Sequence, residues 1–193
     1  KFNMPVSSVN EATFSQCYKL EEVNIDYTNY LKTFSIVECT GIKKLSMQGV
    51  GGKNINELNL TTLPNLEHLD ISSSTAFEHI IFCKNPDGSN FNKLKYLKCD
   101  KSNIISIRYA VYDTDPNAKT FCNLKGMNNL EYCSFKQCTK LTSVKDLYFH
   151  INNPPAAFSN CINLETLTGD FVLSGNVEGY GDESYEPGII GFF

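Results

Sequence analysis

The chain has 193 residues, 41% of them hydrophobic, enough for one well-buried domain. Its net charge is −4, and its basic residues are scattered as Lys43-Lys44, Lys93-Lys95-Lys98 and Lys140-Lys145 rather than gathered into a stripe, so a nucleic-acid partner is not expected. No apolar run approaches the roughly 18 residues of a membrane-spanning helix, so membrane insertion is not expected either.

Residues 1–13 read as an N-terminal half-coil. The opening Lys1-Phe2-Asn3-Met4 is neither an ordinary start nor a signal sequence, which leaves a processed chain or a piece of a longer polypeptide as alternatives. The first complete motif is FSQCYKLEEVNI (14–25), with a skeleton of Phe, Cys, Leu, Val and Ile. It returns as IVECTGIKKLSM (36–47), as LTTLPNLEHLDI (60–71) with Leu63 in the Cys place, and as GSNFNKLKYLKC (88–99) with Phe91 there. It returns again as FKQCTKLTSVKD (135–146) and FSNCINLETLTG (158–169). Cys17 and Cys39, like Cys138 and Cys161, are about 22 to 23 residues apart, a period that signals a solenoid.

A second rhythm, LKTFSI (31–36), INELNL (55–60) and FEHIIF (77–82), falls about eleven residues after strands expected at Leu20, Ile42 and Leu66. A coil with two short extended segments, one on each flank, joined by the FxxC turn, accounts for both periods. Each coil buries its apolar side only by stacking on its neighbours. The spacing predicts about seven coils over residues 1–168, interrupted by inserted loops near 83–92, 108–120 and 147–157. The phase is irregular between Ile104 and Leu141, since Leu130 and Leu141 are only a half-coil apart. Residues 169–193, rich in Gly and aromatic side chains, are either a cap over the last coil or a linker.

The segments PAAFSNCINL (155–164) and ATFSQC (12–17) closely resemble the leucine-rich repeats of the BspA type, also called the Treponema pallidum type, found in bacterial surface proteins and some protist and phage proteins. The resemblance covers residues 5–168. It implies a leucine-rich repeat solenoid, a curved right-handed superhelix with short parallel strands on the concave side and short extended segments or turns on the convex side. It also implies a cell-surface or extracellular location and adhesion to a protein or other cell-surface macromolecule.

Cys17, Cys39, Cys138 and Cys161 share one repeat position and are expected as buried free thiols acting as small hydrophobes, with Cys99 and Cys133 on inward strand places. Cys83 and Cys122, next to irregular segments, are the candidates for a disulfide or an exposed thiol. No CxxC pair with His companions points to zinc. Asp113, Asp115 and Asn117 match only the first half of a calcium loop, with Pro116 inside it, so no metal or cofactor is expected. Asn59-Leu60-Thr61 is the only N-glycosylation sequon, with Asn59 expected outward on an extended segment.

In each LxxLxL strand the residues flanking the second apolar position face the concave surface. Those pairs are Glu22 and Asn24, Lys44 and Ser46, His68 and Asp70, Tyr96 and Lys98, Tyr132 and Ser134, Ser143 and Lys145, and Thr166 and Thr168. They form either a ligand-binding ribbon or a merely solvated face. The ligand-binding candidates are His68, Asp70, Tyr96, Lys98, Tyr132 and Ser134. Tyr109 and Tyr112 on the 108–120 loop join them, unless they fold back over the coil edge. His68 with Asp70, Glu67 and Lys44 is the nearest approach to a catalytic cluster, but it lies on an open face, and no G-x-S-x-G, P-loop or HExxH occurs. The sequence therefore reads as a non-enzymatic recognition module with no catalytic residues. Its alternative is a structural module of a phage virion or surface layer, assembling through the ends of the solenoid.

Overall fold

The computed structural model describes residues 1–4, 8–52, 55–109, 117–149 and 157–171. Every regular element among them is a β-strand, and none is a helix. The strands are short because each run of the motif brings one apolar residue inward between two outward ones and then turns. In Glu22–Asn24, Tyr96–Lys98 and Tyr132–Ser134 the middle residue is buried between less buried flanks or a single buried one.

One six-stranded sheet contains β1 (Phe2–Asn3), β3 (Glu22–Asn24), β5 (Lys44–Ser46), β7 (His68–Asp70), β9 (Tyr96–Lys98) and β12 (Tyr132–Ser134), in that order. A second contains β6 (Glu57–Leu60), β8 (His79–Phe82), β10 (Ser106–Tyr109), β11 (Cys122–Asn123), β13 (Ser143–Phe149) and β14 (Thr166–Phe171). A parallel pair, β2 (Glu11–Ser15) and β4 (Thr33–Val37), precedes it, with β4 beside β6. All named pairings are parallel. From β1 to β10 the chain alternates between the first sheet and the opposite side, one strand on each per turn.

The turns are made by one recurring corner. Gln16, Tyr27, Glu38, Gly49, Ser73, Lys101, Gln137 and Asn160 all have φ between 55° and 61°. Each follows by two places an inward residue of the motif: Phe14, Ile25, Ile36, Met47, Ile71, Cys99, Phe135 and Phe158. The left-handed residue reverses the chain after so short a strand, and the next residue (Cys17, Thr28, Cys39, Val50, Ser74, Ser102, Cys138, Cys161) turns inward.

The core lies between the two sides as columns of in-register side chains. Val23, Leu45, Leu69, Leu97 and Cys133 form one column, and Leu58, Ile80, Ile107, Cys122 and Val144 another, none more than 1% exposed. Phe135 and Phe158 stack with ring centroids 5.5 Å apart.

Two sequence expectations change. Ser143 and Lys145, and Thr166 and Thr168, do not continue the first-sheet ribbon; they lie in β13 and β14 of the second sheet. The place beside the end of β12 is taken instead by residues 157–159, where Phe135 N–H donates to Ala157 O and Gln137 N–H to Ser159 O. The cause is that the half-turn is the true unit. FSQC at 14–17 and its counterpart IVEC at 36–39 form the corner leading into the first sheet, whereas FKQC at 135–138 and FSNC at 158–161 form the corner leading into the second. Cys83 and Cys122 also depart from expectation. All eight cysteines are free, and these two are 6% and 0% exposed, their thiols pushed up by burial.

Candidate recognition face

On the outer side of the first sheet the backbone pairing places Glu22, Lys44, His68, Tyr96 and Tyr132 in a single row. The strands EVN, KLS, HLD, YLK and YCS each point their first and third residues outward, so like positions stack turn upon turn. The ring centroids of His68 and Tyr96 are 4.0 Å apart with planes 2° apart, and those of Tyr96 and Tyr132 are 4.4 Å apart at 10°. The three rings form one continuous stack, half-buried, with its edges toward solvent. Burial, reinforced by the charge of Lys44, lowers the pKa of His68, and Asp70 opposes this. Burial, then the neighbouring Asp70 and Tyr132, pushes the Tyr96 hydroxyl up.

Beside this row runs an alternating ladder of Glu21, Lys43, Glu67, Lys95 and Glu131, each backbone N–H donating to the carbonyl of its predecessor. Lys43 pairs with Glu21 at 3.2 Å and Lys95 with Glu67 at 3.1 Å. Lys44 and Lys98, which flank the rings, have no ion pair among the described residues.

The row on the other side, Asn24, Ser46, Asp70, Lys98 and Ser134, is largely closed to solvent. Ser46, Asp70 and Ser134 are 5%, 4% and 0% exposed. Asp70 and Ser134, expected to meet a ligand, therefore support the surface from beneath. Asp70 Oδ1 accepts from the Ser72 N–H at 2.9 Å. Ser134 Oγ donates to Asp100 Oδ1 at 2.5 Å, and the same oxygen accepts the Lys136 N–H at 2.8 Å. Asp26 does the same one half-stack away, accepting Ser46 Oγ at 2.7 Å and Gln48 N–H at 2.8 Å. Asp26 and Asp100 were missed by sequence reasoning. Their signal is an Asp immediately before the left-handed corner residue, in NIDY and KCDK.

Tyr109 is not on an exposed loop. It belongs to β10, is 3% exposed, and donates its hydroxyl to Lys125 O at 3.0 Å, with burial pushing its pKa up. Tyr112, Asp113 and Asp115 lie outside the described residues. Among the described residues the exposed tyrosines are others: Tyr18, Tyr27 and Tyr30, at 56%, 52% and 66%. Tyr27 sits at a corner position, where a large side chain must point away from the core. Asn59 is exposed on β6, its Oδ1 accepting the Thr61 hydroxyl at 2.7 Å.

The cluster of His68, Asp70, Glu67 and Lys44 does not converge, because Glu67 is held by Lys95, Asp70 by the Ser72 N–H, and His68 by the ring of Tyr96. A closer constellation lies on the second sheet, where Glu57, His79 and Ser106 are directly in register. His79 Nδ1 and Ser106 Oγ are 2.8 Å apart, and Glu57 is held by Arg108. Ser106 has no exposed surface, so its hydroxyl acts as an internal partner for the imidazole. Among the described residues no group of three or more His, Cys, Asp or Glu side chains could hold a metal ion, and no helix is long and apolar enough to cross a membrane.

Comparison with known proteins gives no match: no family model, no curated protein and no solved structure is significantly similar to this chain.

Proposed function

We propose that the chain is a non-enzymatic recognition module, a BspA-type leucine-rich repeat solenoid of a bacterial cell-surface or secreted protein. On this reading the first sheet lines the concave side of a curved right-handed superhelix and binds a macromolecular partner, a protein on a host or neighbouring cell. The observation that carries it is the continuous stack of His68, Tyr96 and Tyr132, with Lys44 and Lys98, which have no ion pair among the described residues, at its margins. Tyrosine held rigidly on a scaffold offers large contact area at little entropic cost, as the centres of protein interfaces do. The Asp26 and Asp100 supports beneath it keep the surface preorganised.

The test is binding of the labelled full chain to intact cells before and after protease treatment of the cell surface. The expected result is protease-sensitive binding that weakens at least tenfold in Tyr96→Ala/Tyr132→Ala, with an unchanged circular dichroism spectrum. Undiminished binding by the folded double variant would remove the first-sheet face from the reading. A second reading, assembly through the solenoid ends, is favoured by Ile162, which is 76% exposed, and by Leu164 and Leu167, only partly buried in the last described turn.

A further inference from the structure

Cys17 and Cys39 occupy the same corner of successive turns. Strands β2 and β4 run in register through Ser15 and Val37, and the Gln16 N–H extends the ladder to Val37 O. Each strand then passes through one left-handed residue, Gln16 or Glu38, both at φ 55°, directly before its cysteine. Adjacent chains so held are about 4.8 Å apart, within the range of roughly 4.4–6.8 Å that a disulfide spans between Cα atoms. Both sulfurs take the same local path, Cys17 Sγ toward Ser15 O and Cys39 Sγ toward Val37 O, each at 3.4 Å. Burial pushes the Cys39 thiol up, and the neighbouring Cys17 is among the groups that bear on it.

The remaining six cysteines differ in two ways. Cys138 and Cys161, also on successive corners, each donate to a carbonyl of an earlier part of the stack, Cys99 O and Phe135 O, at 2.9 Å. Cys83, Cys99, Cys122 and Cys133 are no more than 6% exposed. Of the eight, Cys17 alone is half-buried rather than buried. A disulfide oxidant in solution therefore meets one thiol first, and that thiol has one partner stacked directly on it.

We propose that Cys17 and Cys39 form a disulfide-forming pair that staples the first two turns of the chain when a disulfide oxidant such as glutathione disulfide is present. The Cys17 thiol gives its proton to water, and its sulfur attacks the oxidant, forming a Cys17–glutathione bond and releasing one glutathione thiolate. Cys39 then gives up its proton and attacks the Cys17 sulfur, forming the protein disulfide and releasing the second glutathione thiolate. Two protein thiols are oxidised and one glutathione disulfide is reduced to two thiols. Burial pushes the Cys39 thiol up, so this second step is the slower.

The experiment is incubation of the folded, fully reduced full chain with glutathione disulfide, followed by acid quench, alkylation of free thiols and peptide mass mapping. The expected product is lighter than the reduced chain by two hydrogens before alkylation, and after it has Cys17 and Cys39 linked and the other six cysteines alkylated. Cys39→Ser should stop at a stable glutathione adduct on Cys17, and Cys17→Ser should stay fully reduced over the same time. A wild-type product that remains a mixed disulfide at Cys17, a bond joining any other pair, or eight unreacted thiols would each overturn the assignment.

Discussion

The ring of Tyr27 lies across Gly49 of the next turn, so that a β-carbon on Gly49 would come within 2.6 Å of Tyr27 Cδ1. Both residues are left-handed corners, at φ 59° and 61°. Tyr27 is half-exposed and can swing outward, so Gly49→Ala should cost little beyond the backbone term of about 1–2 kcal/mol. At Gly41 the obstacle is backbone: a β-carbon would sit 2.2 Å from Tyr18 O. Gly41→Ala should therefore destabilise more, by about 3 kcal/mol or beyond as an overpacked site. Urea unfolding of the two variants measures the difference, and equal costs would contradict the close approach of the turns at Gly41.

Tyr96 contacts a ring on each side, whereas Tyr132 contacts one among the described residues. With about 0.5–1.5 kcal/mol per aromatic pair, Tyr96→Ala should lose about twice the stacking contribution of Tyr132→Ala. It should also leave His68 better hydrated, raising its pKa toward the ordinary value. NMR titration of the His68 ring in both variants checks this.

Both His68 and His79 have pKa values below that of an exposed imidazole, His68 through burial and Lys44, His79 through burial and Arg108. A depressed folded-state pKa means that the unfolded chain binds protons first as pH falls. The stability present above the unfolded value of about 6.5 is lost as pH drops through it toward the folded values. The urea midpoint should therefore fall as pH drops below about 6.5, and the fall should shrink in His68→Gln/His79→Gln. A double variant with the full wild-type slope would show that other groups carry it.

One carboxylate oxygen of Asp100 holds both Ser134 Oγ and the Lys136 N–H. Asp100→Ala leaves two donors unpaired and should cost about 2–4 kcal/mol, at about 1–3 for each desolvated group with partial rescue by water. Asp100→Asn retains an acceptor and should cost about half as much. Thermal unfolding ranks the two, and equal costs would place the weight on charge, which both variants remove, rather than on hydrogen bonding.

Cys138 stands at a corner where other turns carry Thr28, Ser74 and Ser102, and its thiol donates to Cys99 O at 2.9 Å. If the donor matters as much as the volume, Cys138→Ser should be tolerated within about 1 kcal/mol while Cys138→Ala costs about 1–2. A purely hydrophobic role would invert that order, and denaturant midpoints of the two variants decide it.

The strands of the first sheet were legible in the sequence. The flanking pairs from Glu22 and Asn24 to Tyr132 and Ser134 fall on β3, β5, β7, β9 and β12, because a period of two within each motif fixes which residues face outward. The half-period segments at 31–36, 55–60 and 77–82 likewise fall on β4, β6 and β8. What failed was the side to which a motif belongs. FxxC fits either corner, so Ser143 and Thr166 were assigned to the wrong sheet once the phase slipped. The closing of Asp70 and Ser134 from solvent was also invisible, since it depends on contacts such as Ser134 to Asp100 that bridge 34 positions. Tyr109 was read as loop because the strand it extends is set by its pairing with Phe82, not by local pattern.

Because one corner geometry serves both sides of the stack, gaining or losing a single segment of about eleven residues would transfer every downstream outward side chain to the opposite face while leaving the apolar columns continuous. A chain built this way can exchange the surface it presents to a partner without redesigning its interior.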